Sequence, residues 1–345
     1  MTRTSRRPPS RRLIRIAALI AVLVVGWLLA NSDSSQQSVA QMANRASGPF
    51  AAQPANPTSY RRPRAQAELG AKRMPPYAVG ERVLTFEDHT RMIRLPGHPP
   101  EPRPLVTVVR YPEHAAGPFP LVVFGHGFAV TPAYYSRLLR AWTQAGYVVA
   151  APVFPLGNAH APGGPNEADI VNQPRDMSFV ITRMEAVSAD RSSPLAGLVD
   201  TRRIAVSGQS DGGETALAVA YDRHFLDRRV RAAIILSGAQ IPAFGAFDFN
   251  GPSPPLLAAQ GTADNINRPH FTYAFFRIAP RPKYLLRLLG AGHLPPYTYE
   301  QPQLSIVERV TIAFLDRYLK DVPTAIRRLI KAGNVAGRSA IEAHP

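Results

Sequence analysis

The residues best suited to chemistry form the pentapeptide Gly208-Gln209-Ser210-Asp211-Gly212. Its serine follows a mostly apolar segment with strand character, residues 204–207, and precedes a predicted helix. A serine on so sharp a turn exposes its hydroxyl, and glycines two positions before and after it remove side chains that would clash across the turn. The pattern therefore predicts that Ser210 is a nucleophile and that Gly208 and Gly212 form the elbow around it.

A serine nucleophile needs a general base, and the base needs an acid to fix its tautomer. Four histidines follow the elbow in the chain: His224, His270, His293 and His344. His293 lies in a glycine-rich loop directly after the last predicted strand, where small neighbours allow an imidazole to reach over the serine. The others lie in an arginine-rich helix end, a helix start and the end of the chain. We therefore predict that His293 is the base.

The acid is expected at the end of another strand. Asp264 follows the apolar segment 256–259 through a short turn, whereas Asp248 precedes that segment. Asp211 and Glu214 are too close to the elbow to reach round the imidazole. We therefore predict that Asp264 orients the base. All three predicted catalytic residues then lie at the carboxyl ends of strands, the edge where open α/β sheets bind ligands.

Two backbone N–H groups must receive the negative charge that develops on an attacked carbonyl. Asp211, directly after the nucleophile, is expected to supply one of them. Phe128 is expected to supply the other from the loop 124–128, and its ring is expected to form a wall of the acyl pocket. His126 in the same loop is predicted to be structural, because it precedes the serine.

The predicted substrate-binding residues are Phe128, Gln209, Phe244, Phe247 and Tyr297. Phe244 and Phe247 belong to a segment of about twenty residues, 237–255, which is too short for a helical cap. An uncapped, open cleft is expected, with residues 158–173 as another part of its rim. Each aromatic residue of the set fits a packing role equally well.

The elements that would position these residues alternate along the chain. Short apolar strands are followed by amphipathic helices from about Gly80 onward, a pattern typical of a mostly parallel sheet covered by helices on both faces. The predicted organisation is a segment 1–30, a disordered linker 31–79 rich in Pro, Ala and Arg, a catalytic domain 80–322 and a C-terminal tail 323–345. The fold class is α/β.

The formal net charge of +16 does not indicate nucleic-acid binding, because the excess is concentrated at one end. Residues 1–73 contain twelve Arg or Lys and two acids, so the rest of the chain has 28 bases and 22 acids. A basic end on a nearly balanced body is typical of targeting or membrane-proximal segments. The chain has no cysteine, which excludes disulfides, thiolate metal sites and a cysteine nucleophile.

Six arginines precede an apolar run, residues 16–30, near the amino terminus. This arrangement predicts a signal peptide or, if it is not cleaved, a membrane anchor. In either case the positive charge stays inside and the rest of the chain is expected outside the cytoplasm, secreted or attached to the cell membrane.

The motifs around Ser210, Asp264 and His293 resemble those of the α/β-hydrolase superfamily over about residues 80–320. The chain is most similar to the dienelactone-hydrolase-like group, which includes cutinase-type polyester hydrolases and chlorophyllase-like esterases. The resemblance implies an eight-stranded, mostly parallel sheet; many relatives insert a helical cap, which the short segment 237–255 does not allow here. It also implies that Phe128 and Asp211 are the backbone donors. The sequence departs at Gln209, where His or Trp is frequent, and at Asp211, where an apolar residue is usual.

The expected function is hydrolysis of a carboxylic ester through an acyl-enzyme, without metal or organic cofactor. A serine peptidase or amidase would use the same three residues, and so would an acyltransferase that passes the acyl group to an alcohol. A non-catalytic binding protein of the same fold is the alternative from a different class. The expected partners are an ester substrate and, through an uncleaved N-terminal segment, a membrane.

Overall fold

The sheet that carries the predicted site has nine strands, in the order β1-β2-β4-β3-β5-β6-β7-β8-β9. A computed structural model describes residues 76–345. The strands are β1 (Ala78–Ile93), β2 (Glu101–Glu113), β3 (Phe119–Gly125), β4 (Val148–Pro152), β5 (Val199–Gln209), β6 (Val230–Leu236), β7 (Leu256–Gly261), β8 (Lys283–Leu288) and β9 (Ser339–His344). The predicted segment 1–30, and the predicted linker through residue 75, lie outside the described residues.

Seven helices cover the two faces of the sheet within residues 76–345. They are α1 (Ser136–Gln144), α2 (Gln173–Ala189), α3 (Asp211–Tyr221), α4 (Pro269–Ile278), α5 (Pro295–Thr298), α6 (Gln303–Leu319) and α7 (Ala325–Gly333). Short 3₁₀ helices at Pro132–Tyr135 and Glu167–Asn172 complete the set. None of these helices is long and apolar enough to cross a membrane.

Burial on both faces explains why the central strands are apolar throughout. Strands β3 to β8 pair in parallel, whereas β1–β2, β2–β4 and β8–β9 pair antiparallel. Every residue of β3, β4 and β7 is buried. Helices α2, α3 and α4 pack on one face, and α1, α6 and α7 pack on the other. The predicted α/β class, with a mostly parallel sheet, is confirmed.

The carboxyl-terminal residues correct two predictions. Residues 323–345 are not a tail: α7 packs on the sheet through the fully buried Leu329, and β9 pairs with β8. The sheet therefore has nine strands instead of eight. The sequence of β9, Ser-Ala-Ile-Glu-Ala-His, alternates with polar residues because it is an edge strand with one exposed face. At the other end, β1 begins at Ala78, two residues before the predicted start of the domain.

Two loops frame the carboxyl edge of the sheet. Residues 237–255 contain no helix, so no cap is inserted there. Residues 158–173 are anchored to β2 by Arg103, whose guanidinium donates hydrogen bonds of 2.6–3.0 Å to the carboxylates of Asp169 and Asp176. All three side chains are buried, so this ion-paired cluster fixes the loop against the sheet.

Candidate active site

Ser210 occupies a strained turn between β5, which ends at Gln209, and α3, which begins at Asp211. Its φ of 55° and ψ of −126° place a residue with a side chain in a region that glycine usually occupies. The turn is held from both sides, because the Ser210 N–H donates to the Leu236 carbonyl of β6 at 3.0 Å and its carbonyl accepts from the Glu214 N–H at 2.8 Å. The backbone therefore has the geometry predicted for a nucleophile elbow.

The elbow glycines lie where backbones touch. A Cβ on Gly208 would overlap the carbonyl of Gly212, and a Cβ on Gly212 would overlap the carbonyl of Gly125. A Cβ on Gly125 would in turn lie 2.9 Å from the Cα of Gly212. These close approaches pack the elbow directly against the loop 124–128, which carries the predicted oxyanion donor.

His293 and Asp264 meet at the end of the sheet. Nδ1 of His293 lies 2.8 Å from Oδ2 of Asp264, and both side chains are buried. Asp264 also accepts hydrogen bonds from the Gln260 amide at 3.0 Å and the Ile266 N–H at 3.0 Å. Because the carboxylate accepts at Nδ1, that nitrogen carries the proton and Nε2 of a neutral ring is left with a free lone pair. This is the form in which an imidazole can act as a base.

The free imidazole nitrogen faces the residue next to the predicted nucleophile. Nε2 of His293 lies 3.2 Å from Nε2 of Gln209. Within residues 76–345, no hydrogen bond joins the hydroxyl of Ser210 to His293. The structure thus brings His293 together with Asp264 and places its ring beside the elbow, while the amide of Gln209 occupies the acceptor. The sequence predicts Gln209 only as a substrate-binding residue, and nothing in the sequence indicates its contact with His293.

His126 fixes the loop that carries Phe128. Its Nδ1–H donates to the Gly127 carbonyl at 2.8 Å, and its Nε2 accepts from the Phe154 N–H at 3.0 Å. Burial lowers the pKa of His126 to about 4, so the ring is neutral at ordinary pH. Phe128 itself is half-buried, and its N–H donates to no acceptor within the described chain.

Tyr297 is a core residue, which corrects its predicted place in the substrate site. Its side chain has 0% exposure. The hydroxyl lies 2.9 Å from the Ser237 hydroxyl and donates to the Ala259 carbonyl at 3.1 Å. The residue follows His293 closely in sequence, but the short helix α5 turns it beneath the sheet edge. It therefore supports the ends of β6 and β7 and offers no surface to a substrate.

Phe244 and Phe247 also lie away from the elbow. The backbone of Phe247 bridges to Asp222, at the end of α3 opposite to Ser210. The 11 residues of α3 separate those two ends by about 16 Å. Phe244 is 2% exposed and packs with Ala218, well along the same helix. The loop 237–255 runs back along α3, so its phenylalanines cover the helix instead of lining the site.

The carboxyl groups of Asp211, Glu214 and Glu167 lie close enough to one another to interact next to the elbow. The sequence does not predict this cluster. Burial, followed by the charges of Glu214 and Glu167, raises the pKa of Asp211 well above its ordinary value. Burial also raises the pKa of Glu214 to about 8, against the opposing effect of a hydrogen bond from Asn267 at 3.0 Å. Burial and the neighbouring carboxyl groups therefore favour the neutral form of the Asp211 side chain, which lessens its repulsion of an anion formed beside it.

Comparisons with known proteins agree with this fold. The family model of the chlorophyllases matches residues 85–263, which are more than half of the 345 residues. Chlorophyllase-2 of Arabidopsis thaliana is 23% identical over 180 residues, which are 51% of this chain and 52% of that protein. The chain thus spans about half the length of the curated relative it matches. The family match includes Ser210 and ends one residue before Asp264, so the positions of Asp264 and His293 rest on the geometry described above.

The contact between Gly212 and Gly125 yields a first prediction. Gly212→Ala places a Cβ against the Gly125 carbonyl, and neither backbone can yield without moving the elbow or the loop 124–128. We expect the free energy of unfolding in urea to fall by roughly 1–3 kcal/mol or more. Gly251→Ala is the matched control, because nothing lies within 4 Å of its added Cβ. Equal losses for the two variants would show that the close approach does not exist.

The buried Glu214 predicts a pH-dependent stability. Its pKa of about 8 in the folded chain exceeds the ordinary value of 4.5, so the folded state keeps a proton that the unfolded state has lost. The associated stability is present below pH 4.5 and disappears as the pH rises to about 8. The side chain of Glu214→Gln cannot ionise. We therefore expect the urea midpoint of this variant, relative to that of the wild type, to increase as the pH rises from 5 to 8.5.

Glu87→Gln, at an exposed glutamate of β1, is the control for that experiment. Its urea midpoint should differ from that of the wild type by a constant amount over the same pH range. If the Glu214→Gln curve also runs parallel to the wild type, Glu214 is ionised in the folded protein and the carboxyl cluster is not neutral.

Proposed function

This chain belongs to the chlorophyllase family, and we propose from that premise that it is a serine hydrolase of carboxylic esters, with Ser210 as nucleophile. The observation that carries the proposal is the 2.8 Å hydrogen bond between Asp264 and Nδ1 of His293, with Nε2 of that ring turned toward the elbow. A buried carboxylate, an imidazole and a serine on a sharp turn are the groups that acyl transfer to a hydroxyl requires. We assign them as acid, base and nucleophile.

In the first half of the reaction, the Ser210 oxygen attacks the ester carbonyl carbon and its proton passes to Nε2 of His293. The Nδ1–H stays bonded to Asp264, which stabilises the imidazolium. The carbonyl oxygen becomes negative and is received by the N–H groups of Phe128 and Asp211. His293 then gives its proton to the departing alcohol, which leaves an acyl group on Ser210.

In the second half, water replaces the alcohol. His293 removes a proton from the water, whose oxygen attacks the acyl carbon. The tetrahedral species collapses, the carboxylic acid leaves, and the proton returns to the Ser210 oxygen. No step draws on a metal or an organic cofactor. The raised pKa of Asp211 supports this scheme, because a carboxylate beside the oxyanion would raise the energy of both tetrahedral species.

The uncapped segment 237–255 supports an open cleft and therefore an ester with a bulky acyl or alcohol part. Amides and alcohol acceptors would use the same three residues, so both belong in the substrate panel beside esters of different acyl length. Chlorophyll belongs there as well, because the family is named for it. We expect esters to be turned over much faster than matched amides.

Ser210→Ala tests the nucleophile. Loss of the hydroxyl removes the group that forms the acyl-enzyme, so kcat for a short p-nitrophenyl ester should fall at least about 1,000-fold. Thermal unfolding should remain cooperative, because only one oxygen is removed. Ser253→Ala, in the loop 237–255, is the control and should keep wild-type activity. Retained activity in Ser210→Ala would refute the assignment.

Export is the second part of the proposed function. It is supported by the six arginines ahead of the apolar run 16–30 in the sequence. We expect cell fractionation to find the full-length chain secreted or with the membrane, and a chain that begins at residue 31 in the cytoplasm. The same distribution for both chains would contradict an export role for residues 1–30.

A further inference from the structure

The side chain of Gln209 connects the two halves of the candidate active site. It is 1% exposed and stands at the last position of β5, directly before Ser210. Its Oε1 accepts a hydrogen bond of 2.7 Å from the hydroxyl of Tyr135. Its Nε2 lies 3.2 Å from Nε2 of His293 and 3.2 Å from the His293 carbonyl oxygen. One amide thus contacts the base on one side and, on the other, the tyrosine that is hydrogen-bonded to the loop 124–128.

The partners determine which way this amide points. The Tyr135 hydroxyl accepts from the Gly127 N–H at 3.2 Å, so its own proton goes to an acceptor, the Oε1 of Gln209. The carbonyl oxygen of His293 can only accept, so it must face the NH₂ group of Gln209. A flipped amide would set oxygen against oxygen at His293 and leave the tyrosine proton without an acceptor. Both ends therefore require the same orientation.

This orientation selects one state of the imidazole. An amide NH₂ group can donate to Nε2 only when that nitrogen carries no proton. Asp264 independently holds the proton on Nδ1. The two contacts together favour the neutral tautomer with an unprotonated Nε2, which is the form that removes a proton from a hydroxyl. A protonated Nε2 would face the hydrogens of the Gln209 amide, which is repulsive.

The same amide is packed against the loop 124–128. A Cβ on Gly127 would lie 2.8 Å from Oε1 of Gln209 and 3.2 Å from the Tyr135 hydroxyl. Tyr135 is itself fully buried between α1 and the sheet. A continuous series of hydrogen bonds between buried groups therefore runs from the Gly127 N–H through Tyr135 and Gln209 to His293. It joins the residue before Phe128 to the loop that carries the base.

We propose that Gln209 is a positioning residue, which holds His293 in its proton-accepting form and sets the base in register with the oxyanion loop. The proposal rests on the proposed function of Ser210 and His293. When His293 takes the proton of Ser210, its new Nε2–H faces the Gln209 amide. That repulsion disfavours the protonated ring and so favours transfer of the proton to the departing alcohol. Gln209 thereby acts through the base and exchanges no proton with the substrate or with Ser210.

The experiment compares two substitutions of nearly equal length. Gln209→Met removes all three hydrogen-bond contacts of the amide, and we expect kcat for a p-nitrophenyl ester to fall roughly 10- to 100-fold with KM almost unchanged. Gln209→Glu keeps an acceptor for Tyr135 and places a carboxylate beside the ring, which favours the protonated imidazole. The acid limb of its kcat/KM profile should move up by about one pH unit or more. Gln303→Met, a buried glutamine of α6, is the control.

Tyr135→Phe gives an independent reading if a Gln209 variant does not fold. It removes one hydroxyl and leaves the Gln209 amide free to turn, so we expect a loss of kcat of about tenfold without a change in KM. Wild-type kcat in both Gln209→Met and Tyr135→Phe would overturn the proposal. A loss confined to KM would do so as well, because it would make Gln209 a wall of the pocket.

The same assay separates this inference from the proposed function. If Ser210→Ala keeps activity, the nucleophile is wrong and the role of Gln209 falls with it. If Ser210→Ala is inactive but the acid limb of Gln209→Glu coincides with that of the wild type, only the positioning role is refuted. The expected combination is an inactive Ser210→Ala, a shifted acid limb in Gln209→Glu and an unaltered Gln303→Met.

Discussion

The left-handed backbone of Ser210 is the constraint on which the site depends. A residue with a Cβ in such a conformation costs about 1–3 kcal/mol, and the surrounding structure must supply that energy. Two backbone hydrogen bonds, one to Leu236 and one from Glu214, stabilise the turn at Ser210, and so does the close packing of the glycine backbones around it. Because β5 ends and α3 begins at this one residue, the turn also decides where the side chains on either side of it point.

Gln209 and Asp211, the residues on either side of Ser210, give the two sides of the site different electrostatic surroundings. Gln209, on the strand side, contacts His293 through its amide NH₂ group, which lies 3.2 Å from both Nε2 and the carbonyl oxygen of that residue. Asp211, on the helix side, leads to Glu214 and Glu167, where burial and mutual repulsion raise the pKa values of the carboxyl groups. The raised pKa values favour the neutral carboxyl forms, which reduces their repulsion of an anion formed above Ser210. An acidic residue at position 211, where similar proteins usually have an apolar one, is in this way compatible with an oxyanion at the proposed nucleophile.

Local patterns in the sequence were enough to predict the strand–turn–helix at Ser210 and the turn that follows β7 at Asp264. They work because glycines, apolar strands and loop ends are decided by neighbours within a few residues. The pairing of β9 was missed, since an edge strand with alternating polar residues has no strong pattern of its own. The burial of Tyr297 and the course of Phe247 along α3 depend on packing between distant segments. The contact between Gln209 and His293 joins residues 84 positions apart, and no periodicity reports it.

Covalent labelling reports whether a base activates the hydroxyl of Ser210. A fluorophosphonate reacts with a serine hydroxyl only where a base activates it, and peptide mass spectrometry locates the adduct. We predict one adduct, on Ser210, which forms much more slowly in His293→Ala than in the wild type. An adduct on another residue, or an unlabelled Ser210 in a protein that hydrolyses esters, would contradict the assignment of nucleophile and base.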